Sequence, residues 1–342
     1  MLRQLISVAL AALVVVAAAE YAETVEGYKF ITSGPRVSAS KAEYEVATHK
    51  TAVELLKMRL GEEELLSLLE PDPTGAEPIW HELFANSTPS SWMLAGDNMQ
   101  AAASIPNATL SHDELKTALI QFKERIGEDS LMAMLKPDIV AADVIWHEVI
   151  ANSTPGSWVP AYGRAVCLLP NVTALGFAMW SASPLEDAVN NAANAEHYGK
   201  RTVEIAPGVL TSEILEGWGG VTTLFTVPNY TTPPNRTMYP FLDENPKFPY
   251  QGAGDKVLRD GTGAVFGVLH IAIRDVDGAD YGETGSGIEI SAAVWYGDGA
   301  GDDFLEAERQ HMVIEIVNVA LQAQKDIESG VFVVPSFGSK SK

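Results

Sequence analysis

Cysteine is almost absent from this 342-residue chain, which carries one, Cys167. A single thiol makes no intramolecular disulfide, so burial of apolar side chains must hold the fold together. The RAVCLLP setting of Cys167 offers Arg164 as its nearby cation and suits an inert buried thiol, not a nucleophile. Positive charge is also scarce: 23 Lys and Arg stand against 45 Asp and Glu, a formal net charge of −22. Phosphate backbones and anionic lipid surfaces are held by clustered Lys and Arg, so nucleic acid and anionic membranes are excluded as expected partners. After residue 19 no apolar run approaches the ~20 residues that cross a bilayer, so no stable membrane span is expected. Catalytic punctuation is missing as well. There is no G-x-S-x-G elbow, no P-loop and no Rossmann glycine pattern, so no catalytic residue is assigned and the cofactor is left unknown.

The first residues are the most readable. MLRQLISVALAALVVVAAAE has Arg3 in a short leading region, an apolar run from Leu5 and a small-residue exit at Ala17–Ala19, the pattern of a secretory signal peptide over 1–19. A retained signal anchor is the competing reading. Six of the twelve asparagines, Asn86, Asn107, Asn152, Asn171, Asn229 and Asn235, begin N-x-S/T sequons. Chance would give roughly one or two, which points to a glycosylated protein outside the cell or in the secretory lumen. A Pro follows the triplets of Asn86 and Asn152, so Asn107, Asn171, Asn229 and Asn235 are the expected acceptors.

Two stretches nearly coincide: IWHELFANSTPSSW over 79–92 and IWHEVIANSTPGSW over 145–158, offset by 66. The match extends upstream, where LGEEELLSLLEPD (60–72) faces IGEDSLMAMLKPD (126–138) and KTAVELLKMRLG faces KTALIQFKERIG. Helix signals accompany it, including a Ser40–Glu43 capping box, Gly61 and Gly127 at stop positions, and Pro89 and Pro155 after Thr. These residues predict a tandem all-helical repeat over 40–166, with copies at about 45–100 and 111–166. Ile145, Trp146, Val149 and Ile150 would form one face of the second copy. The pairs His81–Glu82 and His147–Glu148 would point away from such faces and admit two readings. They are either the His and carboxylate ligands of a metal or haem site between the copies, or turn residues bonded to the following Asn-Ser-Thr. HELFA and HEVIA lack the second His of HExxH, so neither chelates zinc alone. Trp92 and Trp158 would anchor a helix opened by Thr-Pro.

From 167 the texture changes. A connector (167–182) and a helix from Ser183 to about Tyr198 precede VTTLFTV (221–227), AVFGVLHIAI (264–273), IEISAAVWY (288–296) and a strong amphipathic helix after GDD. Leu305, Met312, Val313, Ile316, Val317 and Ala320 mark that helix's apolar face, and 329–342 reads as a flexible tail. The acidic stretch holding Asp275, Asp277, Asp280 and Glu283 offers calcium ligands but breaks the EF-hand register.

KVLRDGTGAVFGVLHIAI followed by GDDFLEAERQHMVIEIVNVALQAQ is similar to the closing half of a GAF domain, and the exported counterpart of that sandwich is a Cache domain. The resemblance spans about 183–326 and is best over 255–326. It implies a ligand-binding module over 183–328 with Trp218, Phe225, Phe266 and Trp295 as pocket walls. The expected fold is therefore α+β, an N-terminal duplicated all-helical module followed by a C-terminal α/β (GAF/PAS-like) sandwich. The expected function is a secreted, non-catalytic small-ligand-binding or sensory protein. The alternatives are a structural or adhesive protein built on the repeat, and a hydrolase or metal-binding protein using the His-Glu pairs.

Overall fold

The computed structural model describes residues 20–34, 39–60, 112–206, 209–242 and 245–335. Strands β1 (Glu20–Val25), β2 (Tyr28–Ser33), β3 (Trp158–Leu168), β4 (His197–Ala206), β5 (Val209–Trp218), β6 (Val221–Thr226), β7 (Tyr250–Leu258), β8 (Val265–Asp277) and β9 (Ser286–Gly297) form one sheet. Its order is β1-β2-β3-β9-β8-β7-β6-β5-β4, antiparallel throughout. Helices α1 (Lys41–Leu60), α2 (His112–Ile126), α3 (Glu128–Met134) and α4 (Lys136–Asn152) precede β3, α5 (Ala174–Trp180) and α6 (Leu185–Ala193) lie between β3 and β4, and α7 (Asp302–Glu328) closes the chain.

Local chemistry sets the turns. Glu26 and Gly27 both have positive φ, as do Gly219 and Gly220, the pairing that two-residue hairpins require between β1 and β2 and between β5 and β6. The Ser40–Glu43 capping box forms as the residues predict: Ser40 N donates to Glu43 Oε2 at 2.9 Å and Glu43 N to Ser40 Oγ at 3.3 Å. In α7 burial extends around the whole helix, with Leu305, Met312, Ile316 and Ala320 in the main core and Val313 and Ile314 packed with Ala39 and Tyr44. The helix lies so close to β3 that a Cβ on Gly163 would stand 3.0 Å from Val313 N. A second core, between Val53 and Leu56 of α1, Leu119 and Phe122 of α2, Leu131 of α3 and the sheet residues Tyr198 and Leu215, ties the early helices to the β4–β5 edge.

This architecture overturns the expected division into a duplicated all-helical module and an α/β sandwich. The N-terminal strands β1 and β2 extend the same sheet through β3, whose residues 164–168 pair with Lys29–Ser33. Among the described residues the helices before β3 form no separate duplicated module. The second copy's apolar stretch divides: Trp146 is fully buried while Ile145 and Ile150 are 40% and 37% exposed. Trp146 turns into the main core, stacks on Tyr296 at 5.2 Å, meets Phe266 at 4.4 Å and donates from Nε1 to Thr223 Oγ1 at 2.8 Å. Trp158 does not begin a helix. Gly156, at φ 79°, turns the chain and Trp158 opens β3. Residues 1–19 and most of the first copy, Trp80, His81, Glu82 and Trp92 included, lie outside the described residues.

Trp146 is therefore the bolt between α4 and the sheet, and the neighbouring His147 is exposed. Trp146→Ala should lower stability by about 3–5 kcal/mol in urea unfolding, whereas His147→Ala should stay within about 1 kcal/mol. Equal effects would place the anchor elsewhere.

Candidate functional site: a cavity closed by a buried polar cluster

Between the sheet and α5, α6 and α7 lies a cavity of about 520 Å³. Alternation along the strands builds its floor. Leu269, Ile271 and Ile273 of β8 and Ile290, Ala292 and Val294 of β9 point to this side, with Phe225 of β6. Met312, Ile316 and Val319 of α7 and Phe177 of α5 form the roof. Exposed lining residues Ala182, Thr202, Tyr230 and Thr232 place its mouth between the α5–α6 turn and the segment after β6. That segment is held down by Asp255 of β7, which accepts from Tyr239 Oη at 3.0 Å and Asn229 Nδ2 at 3.1 Å.

The buried end is polar. Lys256 of β7, 2% exposed, places Nζ 3.2 Å from Glu216 Oε1 and 3.9 Å from Glu308 Oε1. Aromatic faces surround the ammonium, Phe225 at 4.3 Å, Trp218 at 4.4 Å and Phe266 at 5.5 Å. Phe266 reaches this side through a bulge, since Lys256 pairs with Gly267 and Val257 with Val265. A buried cation is tolerable only when paired, and aromatic quadrupoles add to the attraction. Burial alone would push the Glu216 carboxyl up, but the Lys256 ammonium holds it below its ordinary value. Glu308 is pushed up to about 7, by burial first and by Glu216, against Lys256.

Beside this ion pair two histidines meet. His197 opens β4 directly opposite Glu216 on β5, and His311 lies one turn before Glu315 on α7. The two Nε2 atoms are 2.9 Å apart. His197 Nε2 is 3.6 Å from Glu216 Oε2, and His311 Nε2 is 3.8 Å from Glu315 Oε2. His197 Nδ1 donates to the Asn190 carbonyl at 2.5 Å, so its Nε2 carries the lone pair. Asn194 accepts from Glu196 N through Oδ1, which turns its Nδ2 toward His311 Nδ1 at 3.3 Å. Burial first, and then His311, lowers His197 to about 3; burial lowers His311 to about 4. Both rings are neutral at pH 7. Glu315, which lines the cavity and accepts from Asn190 Nδ2 at 2.8 Å, is raised by burial and then by Glu216. Lys123 of α2 braces the strand entry, donating to the carbonyls of Asn191, Asn194 and His197 at 2.8, 3.1 and 2.6 Å.

The expected site residues scatter. Phe225 lines the cavity, while Trp218 and Phe266 pack round Lys256 instead, and Trp295 meets Phe241 at a tilt on the other side of the sheet at 5.1 Å. His147 bonds Asp260 Oδ2 at 2.6 Å on the surface, and Glu148 is exposed. Asp275 and Asp277 accept from Ala174 N and Ala279 N as loop caps. Asn171, Asn229 and Asn235 are exposed, and Asn107 lies outside the described residues. Burial pushes the Cys167 thiol up, in keeping with an inert role. Sequence reasoning passed over the polar stripe Glu308, His311, Glu315 and Asn318, spaced i, i+3, i+7 and i+10 on α7. On a helix with an obvious apolar face, that stripe reads as its solvent side.

No protein-family model matches the chain, and no curated protein matches it. Among the described residues no helix is long and apolar enough to cross a membrane. Removing the buried ammonium by Lys256→Ala should cost about 3–5 kcal/mol in denaturant unfolding, because Glu216 and Glu308 are left uncompensated. An effect under about 1 kcal/mol would mean that the aromatic cage and carboxylates relax without it.

Proposed function

We propose that this protein binds a small, mainly apolar molecule in the cavity beneath α7, acting as a secreted, non-catalytic carrier or sensor. The observation that carries the reading is the cavity itself. Its volume of about 520 Å³ falls in the range of small-molecule sites, and an apolar floor and roof lead to a few convergent polar groups. The polar end selects the ligand's head. Lys256 is engaged by Glu216, and Lys200 makes its ion pair with Glu186, so among the described residues Glu315 and Asp187 are lining carboxyls with no direct lysine ion pair. A neutral hydrogen-bond donor or an amine fits this end better than a carboxylate. Export is supported by the leader-like 1–19 and by the exposure of Asn171, Asn229 and Asn235.

The neutral dye N-phenyl-1-naphthylamine should brighten on entering the cavity and be displaced by n-decylamine at least about tenfold better than by decanoate, a difference of ~1.4 kcal/mol. Ala292→Phe, which fills the floor, should weaken dye and amine together. Binding unchanged by Ala292→Phe would remove the cavity from the explanation. For the export claim, the chain secreted from eukaryotic cells should lose mass on N-glycosidase treatment, with Asn171 and Asn235 among the converted sites; no change in mass would refute it.

A further inference from the structure

We infer that His197, His311 and Glu315 form a three-ligand site for a divalent transition-metal ion, zinc in the first instance, with its remaining position turned to the cavity. The site goes beyond the small-molecule reading and does not depend on it.

Geometry carries the argument. One donor atom from each residue lies within 4.8 Å of the other two. Ligand distances of about 2.0–2.1 Å around a tetrahedral ion put neighbouring donors ~3.3 Å apart. The observed separations straddle that value, at 2.9 Å between the histidine Nε2 atoms and 3.8 Å from His311 Nε2 to Glu315 Oε2. The third pair, His197 with Glu315, lies within 4.8 Å, and side-chain rotation must draw it in for an ion to bind.

The surroundings fix the His197 and Glu315 donors as ligands are usually fixed. The proton of His197 is committed at Nδ1 to the Asn190 carbonyl, and the same residue's Nδ2 holds Glu315 Oε1 at 2.8 Å. One asparagine thus orients a histidine and a carboxylate, the outer-shell arrangement that sets ring tautomer and carboxylate direction at metal sites. Asn194 Nδ2 faces His311 Nδ1 at 3.3 Å, so the metal-free ring carries its proton on Nε2, and an ion bound there displaces that proton. Glu216, 3.6 Å from His197 Nε2, adds a carboxylate next to the site. Two imidazoles and a carboxylate are the donor set of zinc and of other first-row divalent ions, and soft thiolate chemistry is absent here. His311 and Glu315, four residues apart on the 27-residue α7, present both ligands from one rigid face. The histidine pair also makes sense as a plain Nε2–H···Nε2 hydrogen bond, and the experiment separates the two.

The full chain, stripped with a chelator and dialysed, is titrated with Zn²⁺ by calorimetry and with Co²⁺ by visible absorption. One equivalent of Zn²⁺ should bind, and Co²⁺ should develop the d–d bands of a low-coordinate nitrogen and oxygen site. Glu315→Gln and His311→Asn should each weaken Zn²⁺ by at least about tenfold. His147→Ala should leave it unchanged. Far-UV circular dichroism and the melting of the metal-free variants guard against misfolding, and Glu315→Gln, nearly isosteric and facing the cavity, keeps the test open if His311→Asn unfolds. Absence of stoichiometric Zn²⁺ binding, or binding indifferent to Glu315→Gln in a folded chain, overturns the proposal. Dye binding in the cavity, measured without metal, stands or falls separately.

Discussion

Everything in this molecule answers to the burial of α7. A helix of 27 residues with Leu305, Val313, Ile314 and Ala320 buried on different sides has almost no face left for water. Yet its sequence carries Glu308, His311, Glu315 and Asn318 along one stripe. Buried polar groups are tolerated when they find partners and are costly when they do not. The stripe therefore dictates what the surrounding elements must supply: Lys256 from β7 for Glu308, His197 from β4 for His311, Asn190 from α6 for Glu315, and the Ala193 carbonyl for Asn318.

Meeting those demands requires elements far apart in the chain to reach one place. The α6–β4 turn delivers Asn190, Asn194 and His197 within eight residues, and Lys123 of α2 holds the carbonyls of that turn from outside. The aromatic cage does the same for Lys256. Trp218 ends β5, Phe225 lies on β6 and Phe266 is the bulge residue of β8. Trp146 then closes the cage from α4, stacked on Tyr296 of the sheet and edge-on to Phe304 of α7. In this way the second copy of the repeated segment is bound to the polar cluster through one indole.

The sequence made some of this readable. The stretches AVFGVLHIAI and IEISAAVWY marked β8 and β9, the amphipathic face from Leu305 to Ala320 marked α7, and the capping box at Ser40 and Glu43 formed as written. What misled was the repeat. Local similarity between two segments says that each has the same propensities, and propensity does not determine which surface a Trp meets. Trp146 faces the sheet because the β8–β9 pairing, which sets Gly267 opposite Tyr296, brings Phe266 and Tyr296 there from more than a hundred positions away. No periodicity encodes such a pairing. Of the four aromatic residues expected as pocket walls, Trp218, Phe225 and Phe266 are buried and Trp295 is half-buried, and Phe225 alone of them lines the cavity. The common partner of Trp218, Phe225 and Phe266, Lys256, was invisible because a lysine in a strand ordinarily reads as its solvent side.

The same constraint explains why there is a cavity at all. An apolar helix would settle flush on a floor of Ile271, Ala292 and Val294, since close packing is worth more than a void. Glu315 prevents this. Its carboxyl needs an outlet, and the space beneath Met312, Ile316 and Val319 provides one that reaches the mouth at Tyr230 and Thr232. Small residues cooperate: a Cβ on Gly252 would stand 2.5 Å from the Tyr230 ring, so the floor of β7 is lowered where the mouth must be lined. Polar stripe and cavity are thus one feature. Replacing the stripe with aliphatic residues would remove both the reason for the space and the groups that give it chemical selectivity.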